Sequence, residues 1–298
     1  MASGVLVEPE ESGRPANMEK RCEGVNQLVY WVTDNLLNDW IQLPDCKPEH
    51  IVAARKIKCF LTGDLNAEVN SNPAFPGKER HLLRAQIARI FAATTIAPAG
   101  AYVIDDETQK MKFAGADWAI PPTEELQKLE SWQHINMNIL QVGRTKYYVP
   151  DSVPEEERAE YVEKFKADNK IDEPEVELFK PVNEDTPVEG LGAELSWVTK
   201  LAGDSCQYTK ADGEGKVYSY AVNVLKSMRW PGAITVCKDG KWWNFYTGTG
   251  MKRTGPSFEP TAPPQIDMEP NDPVEQPEPT PFNEPKPVEE ENPEPADE

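Results

Sequence analysis

Two short glycine-containing stretches come nearest to the pattern of a catalytic loop. Gly203-Asp204-Ser205-Cys206 offers a serine beside an aspartate. An oxyanion hole needs small residues after the serine, and Cys206 and Gln207 do not supply them. Thr247-Gly248-Thr249-Gly250-Met251-Lys252 lacks the third glycine of a dinucleotide loop and the Gly-Lys-Ser/Thr of a phosphate-binding loop. Both stretches are therefore predicted to be ordinary polar loops.

The histidines, cysteines and carboxylates do not have the spacing of a metal site. His50, His81 and His134 lie 31 and 53 residues apart, so none has a partner one helical turn away. Asp105-Asp106-Glu107 lacks the glycine and the alternating oxygen ligands of a calcium loop. The cysteines are odd in number, widely spaced and without a Cys-x-x-Cys pair, which predicts reduced thiols. They are Cys22, Cys46, Cys59, Cys206 and Cys237. We expect no catalytic residue, no cofactor and no metal.

The charge of the chain argues against two classes of partner. The 298 residues include 31 basic and 51 acidic side chains, for a formal net charge of −20. A nucleic-acid-binding protein needs a basic face, and so does a surface drawn to anionic lipid. No run of 18 apolar residues predicts a membrane helix, and the start MASGVLVEPEES lacks the basic and apolar regions of a signal peptide. We therefore expect neither a nucleic acid nor a membrane as partner.

Apolar periodicity predicts three helices. The first begins at Pro48 and ends at Gly63, and a second lies near 78–93. Ser152 and Glu155 have the spacing of a capping box that opens a third helix over about 154–168. The apolar face of the first helix consists of Ile51, Ala54, Ile57 and Leu61. The second helix has an apolar stripe of Leu83, Ile87, Ile90 and Phe91, with Arg80, Arg84 and Arg89 lying off it.

Other segments are typical of strands. They are residues 27–33, 101–104, 139–149, 234–237 and 242–246. Asp239-Gly240 separates the last two and predicts a hairpin, because both central residues of its turn need positive φ.

Four aromatic residues gather around this hairpin. They are Trp230, Trp242, Trp243 and Tyr246. Core packing is one interpretation of the group, and an interface with another protein is the other, since Trp and Tyr are favoured interface anchors. Alternation along a strand places Trp242 and Trp243 on opposite faces. One of them is then free to fill the core while the other meets a partner or a covering loop.

The chain divides by composition into four parts. Residues 1–24 are predicted to be a flexible arm, and residues 25–254 a single α+β domain with a mixed or antiparallel sheet and a few packed helices. Within it, residues 151–190 have a net charge of −9 and are predicted to form a helix and an extended, wrapping segment. Residues 255–298 contain 13 prolines and 13 acidic residues, which predicts a disordered tail.

Several long strings resemble one known family. Residues 51–104 contain Ile-Val-Ala-Ala-Arg-Lys-Ile-Lys, Leu-Thr-Gly-Asp-Leu-Asn-Ala, Pro-Ala-Phe-Pro-Gly and Leu-Leu-Arg-Ala-Gln-Ile-Ala-Arg-Ile. Residues 224–252 contain Met-Arg-Trp-Pro-Gly-Ala-Ile-Thr-Val and Lys-Trp-Trp-Asn-Phe-Tyr-Thr-Gly-Thr-Gly-Met-Lys. These strings, with Tyr30-Trp31-Val32, are similar to the radial spoke head protein 4/6 family over about residues 25–265. Members of that family usually have a long region before this strand, so two interpretations stay open: a short member, or a sequence that begins late.

The resemblance implies a non-enzymatic structural subunit of the radial spoke head in the axoneme of motile cilia and flagella. Such subunits help to relay mechanical signals from the central pair to the dynein arms. The implied partners are other spoke-head subunits, including a paralogue or a second copy, with transient contacts to central-pair projections. Two alternatives to this function remain: an acidic hydrolase, since 51 carboxylates always offer pairs, and a binding module whose proline-rich tail recruits a partner domain.

Overall fold

The computed structural model describes residues 2–5, 17–107, 110–115, 118–173, 178–188, 196–203, 206–209 and 217–255. The chain separates into residues 1–257 and 258–298, and every described residue belongs to the first unit. The predicted acidic tail, apart from Gly255, lies outside the described residues.

Three α-helices and thirteen strands occur in these residues. The helices are α1 (Pro48–Lys56), α2 (Glu79–Thr94) and α3 (Arg158–Asp168). The strands are β1 (Ala2–Val5), β2 (Val29–Val32), β3 (Ile41–Gln42), β4 (Ile96–Pro98), β5 (Tyr102–Ile104), β6 (Met111–Phe113), β7 (Trp132–His134), β8 (Trp197–Ala202), β9 (Gln207–Thr209), β10 (Val217–Ser219), β11 (Val222–Ser227), β12 (Ala233–Lys238) and β13 (Lys241–Tyr246).

The strands form several small sheets, and all the pairings are antiparallel. The largest sheet has the order β13-β12-β11-β8, and a three-stranded sheet has the order β1-β2-β3. β4 pairs with β7, β5 with β6 and β9 with β10. The predicted α+β class is confirmed.

The helix α2 lies at the centre of the packing. Leu82 and Ala85 pack with Ile51 of α1 in one apolar cluster, while Leu83 packs in a second cluster with Tyr30 of β2. Its last turns reach the four-stranded sheet through a third cluster, which contains Ile90, Trp230 and Ala233. The helix therefore buries more than one side, and a single apolar stripe does not describe it.

Arg84 illustrates this difference from the expected stripe. The residue was expected to lie off the apolar stripe, yet it is only 2% exposed, so the buried part of the helix extends beyond that stripe. Its Nη2 donates hydrogen bonds to the carbonyl oxygens of Val25 at 2.8 Å and Leu28 at 3.3 Å. The guanidinium carbon also lies 4.8 Å from the ring centroid of Tyr30. Backbone carbonyls and an aromatic face replace water around part of this cation, while its Nη1 is buried without a hydrogen-bond partner among the described residues.

The helix α1 ends earlier than the predicted stop at Gly63. Ile57 follows its last residue in an extended conformation, with φ −102° and ψ 134°. In that conformation the Ile57 side chain remains in the same buried cluster as Ile51 and Ala54. Leu61, which was placed on the apolar face of the helix, is exposed.

The predicted strand at 139–149 is wrong, because this segment forms turns. The Gly143 N–H donates to the Leu140 carbonyl at 2.9 Å, and the Leu140 N–H donates to the Arg144 carbonyl at 2.8 Å. Gly143 has a φ of 78°, and a Cβ there would lie 2.4 Å from the carbonyl oxygen of Pro48. The close approach of α1 thus requires glycine, and the tight turn prevents a strand.

The described residues of the predicted flexible arm are part of the folded unit. β1 pairs with β2 over four residue pairs, from Ala2–Val32 to Val5–Val29. Glu19 is buried, and its carboxylate accepts hydrogen bonds from the Thr145 N–H at 2.8 Å and the Val25 N–H at 2.9 Å. Low hydrophobicity, on which the prediction of a flexible arm rested, does not reveal such a buried and hydrogen-bonded carboxylate.

The acidic segment 151–190 contains the predicted helix, but the predicted cap does not form. A 3₁₀ turn at Glu155–Glu157 precedes α3, and neither helix start receives a side-chain hydrogen bond. None of the α3 residues is buried. Further along, Val182 is fully buried and packs with Trp132 and Trp197, so this part of the predicted wrapping segment belongs to the core.

Candidate interaction surface

The sheet β13-β12-β11-β8 has two faces of different character. The turn Asp239-Gly240, with φ values of 48° and 77°, closes the predicted hairpin between β12 and β13. Because directly opposed residues of antiparallel strands share a face, the register assigns every side chain of the sheet to one face. We call the face that contains Trp243 the outer face. Its central residues are Val198, Lys200, Val224, Lys226, Ile234, Val236, Lys238, Lys241, Trp243 and Phe245.

The other face of the sheet is part of the core. Trp197, Leu225 and Cys237 lie in one buried cluster. The Asn244 side chain connects this face to β4, because its Nδ2 donates to the Ile96 carbonyl at 2.9 Å. Its Oδ1 accepts a hydrogen bond from the Thr235 hydroxyl at 2.7 Å. These contacts fix the orientation of the sheet, and hence of its outer face.

Trp242 also lies on the inner face, as the strand alternation predicts. Its ring centroid is 5.8 Å from that of Trp118, 6.3 Å from that of Tyr102 and 6.5 Å from that of Phe113. Two of these contacts, those with Trp118 and Tyr102, are edge-to-face. The hairpin of β5 and β6 therefore covers Trp242.

Trp230 and Tyr246 lie in the interior as well. Trp230 is 3% exposed and packs with Ile90, and the Arg89 guanidinium carbon lies 5.3 Å from its ring centroid. The half-buried Tyr246 hydroxyl accepts a hydrogen bond from the Gly250 N–H at 2.9 Å. Burial raises the pKa of Tyr246, and this hydrogen bond opposes the rise. In this fold the two residues support the sheet from its inner side.

Trp243 is the predicted interface residue that the structure places at the surface. Trp243 is 52% exposed. On the same face, Phe245 of β13 is 47% exposed and Val198 of β8, the opposite edge strand, is 39% exposed. Val236 lies directly opposite Trp243, and Ile234 directly opposite Phe245. The apolar residues of the outer face thus form a continuous band across the strands.

Lysines border this band. The four strands contain four lysines and no Asp or Glu, and the register places all four on the outer face. They are Lys200, Lys226, Lys238 and Lys241. Lys238 and Lys241 are directly opposite each other beside the turn. In a chain with a net charge of −20, this face combines apolar area with positive charge.

The three histidines serve local structure instead of a shared site. His134 Nε2 lies 2.9 Å from a carboxylate oxygen of Asp185, which also accepts a hydrogen bond from Trp197 Nε1 at 2.8 Å. His81 Nδ1 accepts from the Lys78 N–H at the start of α2. The ring centroids of His50 and His81 are 4.9 Å apart. Burial, and secondly His81, lowers the pKa of His50 to about 4. Among the described residues, no three His, Cys, Asp or Glu side chains converge as metal ligands.

The two glycine-containing loops of the sequence have different outcomes. Asp204 and Ser205 lie outside the described residues. In the second loop, Gly250 has a φ of 77° and its N–H donates a hydrogen bond to the Tyr246 hydroxyl. This loop therefore forms a turn after β13. Asp105, from the predicted solvated turn, forms an ion pair with Lys112. In the described part of the chain, no helix has the length and apolar character needed to cross a bilayer.

Comparison with known proteins decides the family. The family described as radial spokehead-like protein matches residues 5–291. The chain belongs to the radial spokehead-like protein family. Radial spoke head protein 6 homolog A of Mus musculus is 35% identical over 266 residues, which cover 84% of this chain and 36% of the mouse protein.

Two further relatives extend this comparison across distant organisms. Flagellar radial spoke protein 4 of Chlamydomonas reinhardtii is 31% identical over 255 residues, or 85% of this chain and 50% of the algal protein. Radial spoke head protein 4 homolog A of Homo sapiens is 33% identical over 269 residues, or 84% of this chain and 35% of the human protein. The chain thus spans about a third to a half of the length of these radial spokehead-like relatives.

Sequence reasoning about this family member missed part of the outer face. It selected Trp243 by residue type but not Phe245, Val198 or the lysines. The available signal was the alternation in Ala233–Lys238, where apolar residues occupy both faces of one strand. A strand that is apolar on both faces either lies between two layers or leaves one apolar face exposed.

Proposed function

We propose that this chain is a structural subunit of the radial spoke head in the axoneme of motile cilia and flagella. In this role it helps to relay mechanical signals from the central pair to the dynein arms. The observation that carries the proposal is the family match over residues 5–291, and relatives named as radial spoke head proteins support it. The role is architectural and needs no catalytic residue.

Within the spoke head, the outer face is the surface that joins this chain to a neighbouring subunit. Exposed aromatic residues in a continuous apolar band are typical of interface anchors. This face carries four lysines. The complementary surface on the partner is therefore an apolar area with an acidic border. A second copy docked face to face would oppose like charges, so a different spoke-head subunit is the better occupant.

The acidic segment 255–298 has a separate role in the proposal. It makes transient contacts with basic central-pair projections. Screening at physiological salt limits the range of such contacts to about 8 Å, which keeps them weak and reversible. Weak contacts suit a surface that must collide and release.

Fractionation of cilia tests the spoke-head role and its surface together. The full chain carries a tag at its own locus in a motile, ciliated cell. Membranes are removed with detergent, and the axonemes are then extracted with chaotropic salt. The wild-type chain is expected in the axonemal extract, in one large particle with other spoke proteins. The double substitution W243S/F245S removes both exposed aromatic anchors and should shift the tag to the detergent-soluble fraction.

A matched control variant distinguishes the effect of removing the outer-face aromatic residues from the effect of removing any two exposed apolar side chains. Leu37 and Phe60 are 92% and 72% exposed and lie outside the sheet, so L37S/F60S should remain in the particle. A wild-type chain that is absent from the axonemal extract contradicts the spoke-head role. Equal retention of the two double variants contradicts the assignment of the outer face alone.

A further inference from the structure

A cavity beside α1 and α2 collects positive charge. Its volume is about 390 Å³, which falls within the range of small-molecule sites. Four cationic residues line it: Arg55 at the end of α1, Lys58 just after it, Arg89 of α2, and Lys252 after β13. Residues on three separate parts of the chain therefore bring their charges to one place.

These cations have no carboxylate counterpart in the cavity. None of the residues that line it is an Asp or a Glu, and in the described ranges none of the four cations forms an ion pair. Burial lowers the pKa of Arg55, and the negative charge of Glu173, which forms no ion pair with it, partly opposes this. The two carboxylate oxygens of Glu173 accept hydrogen bonds from the Gln141 N–H at 2.7 Å and the Tyr147 hydroxyl at 3.1 Å.

Neutral groups hold the two guanidinium groups in place. Arg55 Nη2 donates to the carbonyl oxygens of Ile139 at 2.7 Å and Leu140 at 2.9 Å. Arg89 Nη1 donates to the Ala54 carbonyl at 2.8 Å and to Gln86 Oε1 at 2.9 Å. These acceptors fix the position of each guanidinium but carry no charge themselves, and Glu173 offsets part of the positive charge of Arg55 only. Each guanidinium has five N–H donors, so others are left for a ligand.

The electrostatic cost of this arrangement is visible in the pKa values. Burial, and then the neighbouring Arg55, lowers the pKa of Arg89 to about 10. Burial, followed by Arg229, Arg89 and Arg55, lowers the pKa of Lys252. Grouped cations that repel each other in a half-enclosed space are stabilised by a bound anion.

We propose that this cavity is a binding site for a small organic polyphosphate. A polyphosphate brings several negative charges within the reach of four cations, whereas a carboxylate side chain brings one. The remaining walls include Ile57, Ile139 and Met251, which offer apolar contact to the organic part. This site is separate from the outer face and does not depend on the proposed function.

Calorimetric titration of the purified full chain with inorganic pyrophosphate at constant ionic strength tests the charge requirement. The expected result is saturable binding at one site. The double substitution K58Q/K252Q should weaken binding by at least about tenfold, since each lysine contributes a positive charge and a charge-assisted hydrogen bond to the anion. The matched control K200Q/K226Q removes the same charge from the outer face and should bind like the wild type.

Hydrogen exchange on the wild-type chain adds a measurement that needs no substitution. Pyrophosphate should protect amides in residues 54–58 and 251–254, and an adenosine diphosphate titration should give the same protected segments. Absence of saturable heat overturns the proposal, as does equal weakening in the two double variants. A glutamate-rich peptide that protects these segments while pyrophosphate does not would also overturn it, in favour of a protein ligand.

Discussion

Arg84 of α2 connects this helix, through its guanidinium, to the backbone before β2 and to Tyr30. In R84M, the carbonyl oxygens of Val25 and Leu28 lose this donor. We expect the free energy of unfolding to fall by about 2–4 kcal/mol, because each buried acceptor left unsatisfied costs roughly 1–3 kcal/mol.

Urea denaturation followed by circular dichroism measures this loss. The control is K164M on the exposed side of α3, where the same change in side chain should alter stability by less than about 0.5 kcal/mol. Equal midpoints for R84M and the wild type would mean that water replaces the guanidinium at no cost.

For single residues, the sequence predicted the structure where residue type alone decides the backbone conformation. Asp239 and Gly240 predicted their turn because positive φ at both positions favours those residues. The burial of Arg84 and Glu19 was not predicted, because a buried charge depends on partners that are far away in the chain. Thr145, which binds Glu19, lies 126 residues from it.

The start of α1 contains a group that should make stability depend on pH. Burial lowers the pKa of His50 to about 4 in the folded chain, whereas an unfolded histidine has a pKa near 6.5. Between these values the unfolded state binds the extra proton. Stability is therefore expected to decrease as the pH falls from about 6.5 towards 4, by roughly 1–3 kcal/mol at full extent.

Unfolding free energies of the wild type and H50F between pH 7.5 and 4 test this expectation. Phe keeps a ring beside Phe75 and His81 and removes the titrating group, so the slope of stability against pH should become shallower in this window. His81, whose pKa burial also lowers, keeps part of the slope. Identical slopes for both proteins would contradict the assignment.

Elements were predictable where the pattern of the chain was local. Strands β12 and β13 and helix α2 follow from alternation, turn residues and helical periodicity. The segment 139–149 has the composition of a strand, but Gly143 contacts the Pro48 carbonyl and Arg55 binds the carbonyl oxygens of Ile139 and Leu140. These contacts come from α1, more than 80 residues earlier, and no local pattern encodes them.

The whole molecule separates its charges. The chain as a whole is strongly acidic, while the outer face carries four lysines around Trp243, Phe245 and Val198. The composition of the whole chain predicted a protein without a nucleic-acid partner. The resemblance of its sequence strings to the radial spoke head protein 4/6 family predicted the family. The sequence predicted only part of the outer face. The positions of its four lysines depend on the register of four strands, which the sequence alone did not give.

The most direct test of the outer face as an assembly surface is hydroxyl-radical footprinting of Trp243 and Phe245. The labelling rates are compared between the purified chain and the same chain in isolated spoke particles, with the exposed Leu37 and Phe60 as internal references. We expect Trp243 and Phe245 to lose most of their labelling in the particle, because a neighbouring subunit covers them, while the references change little. Unchanged labelling of both aromatic residues in the assembled particle would contradict the account.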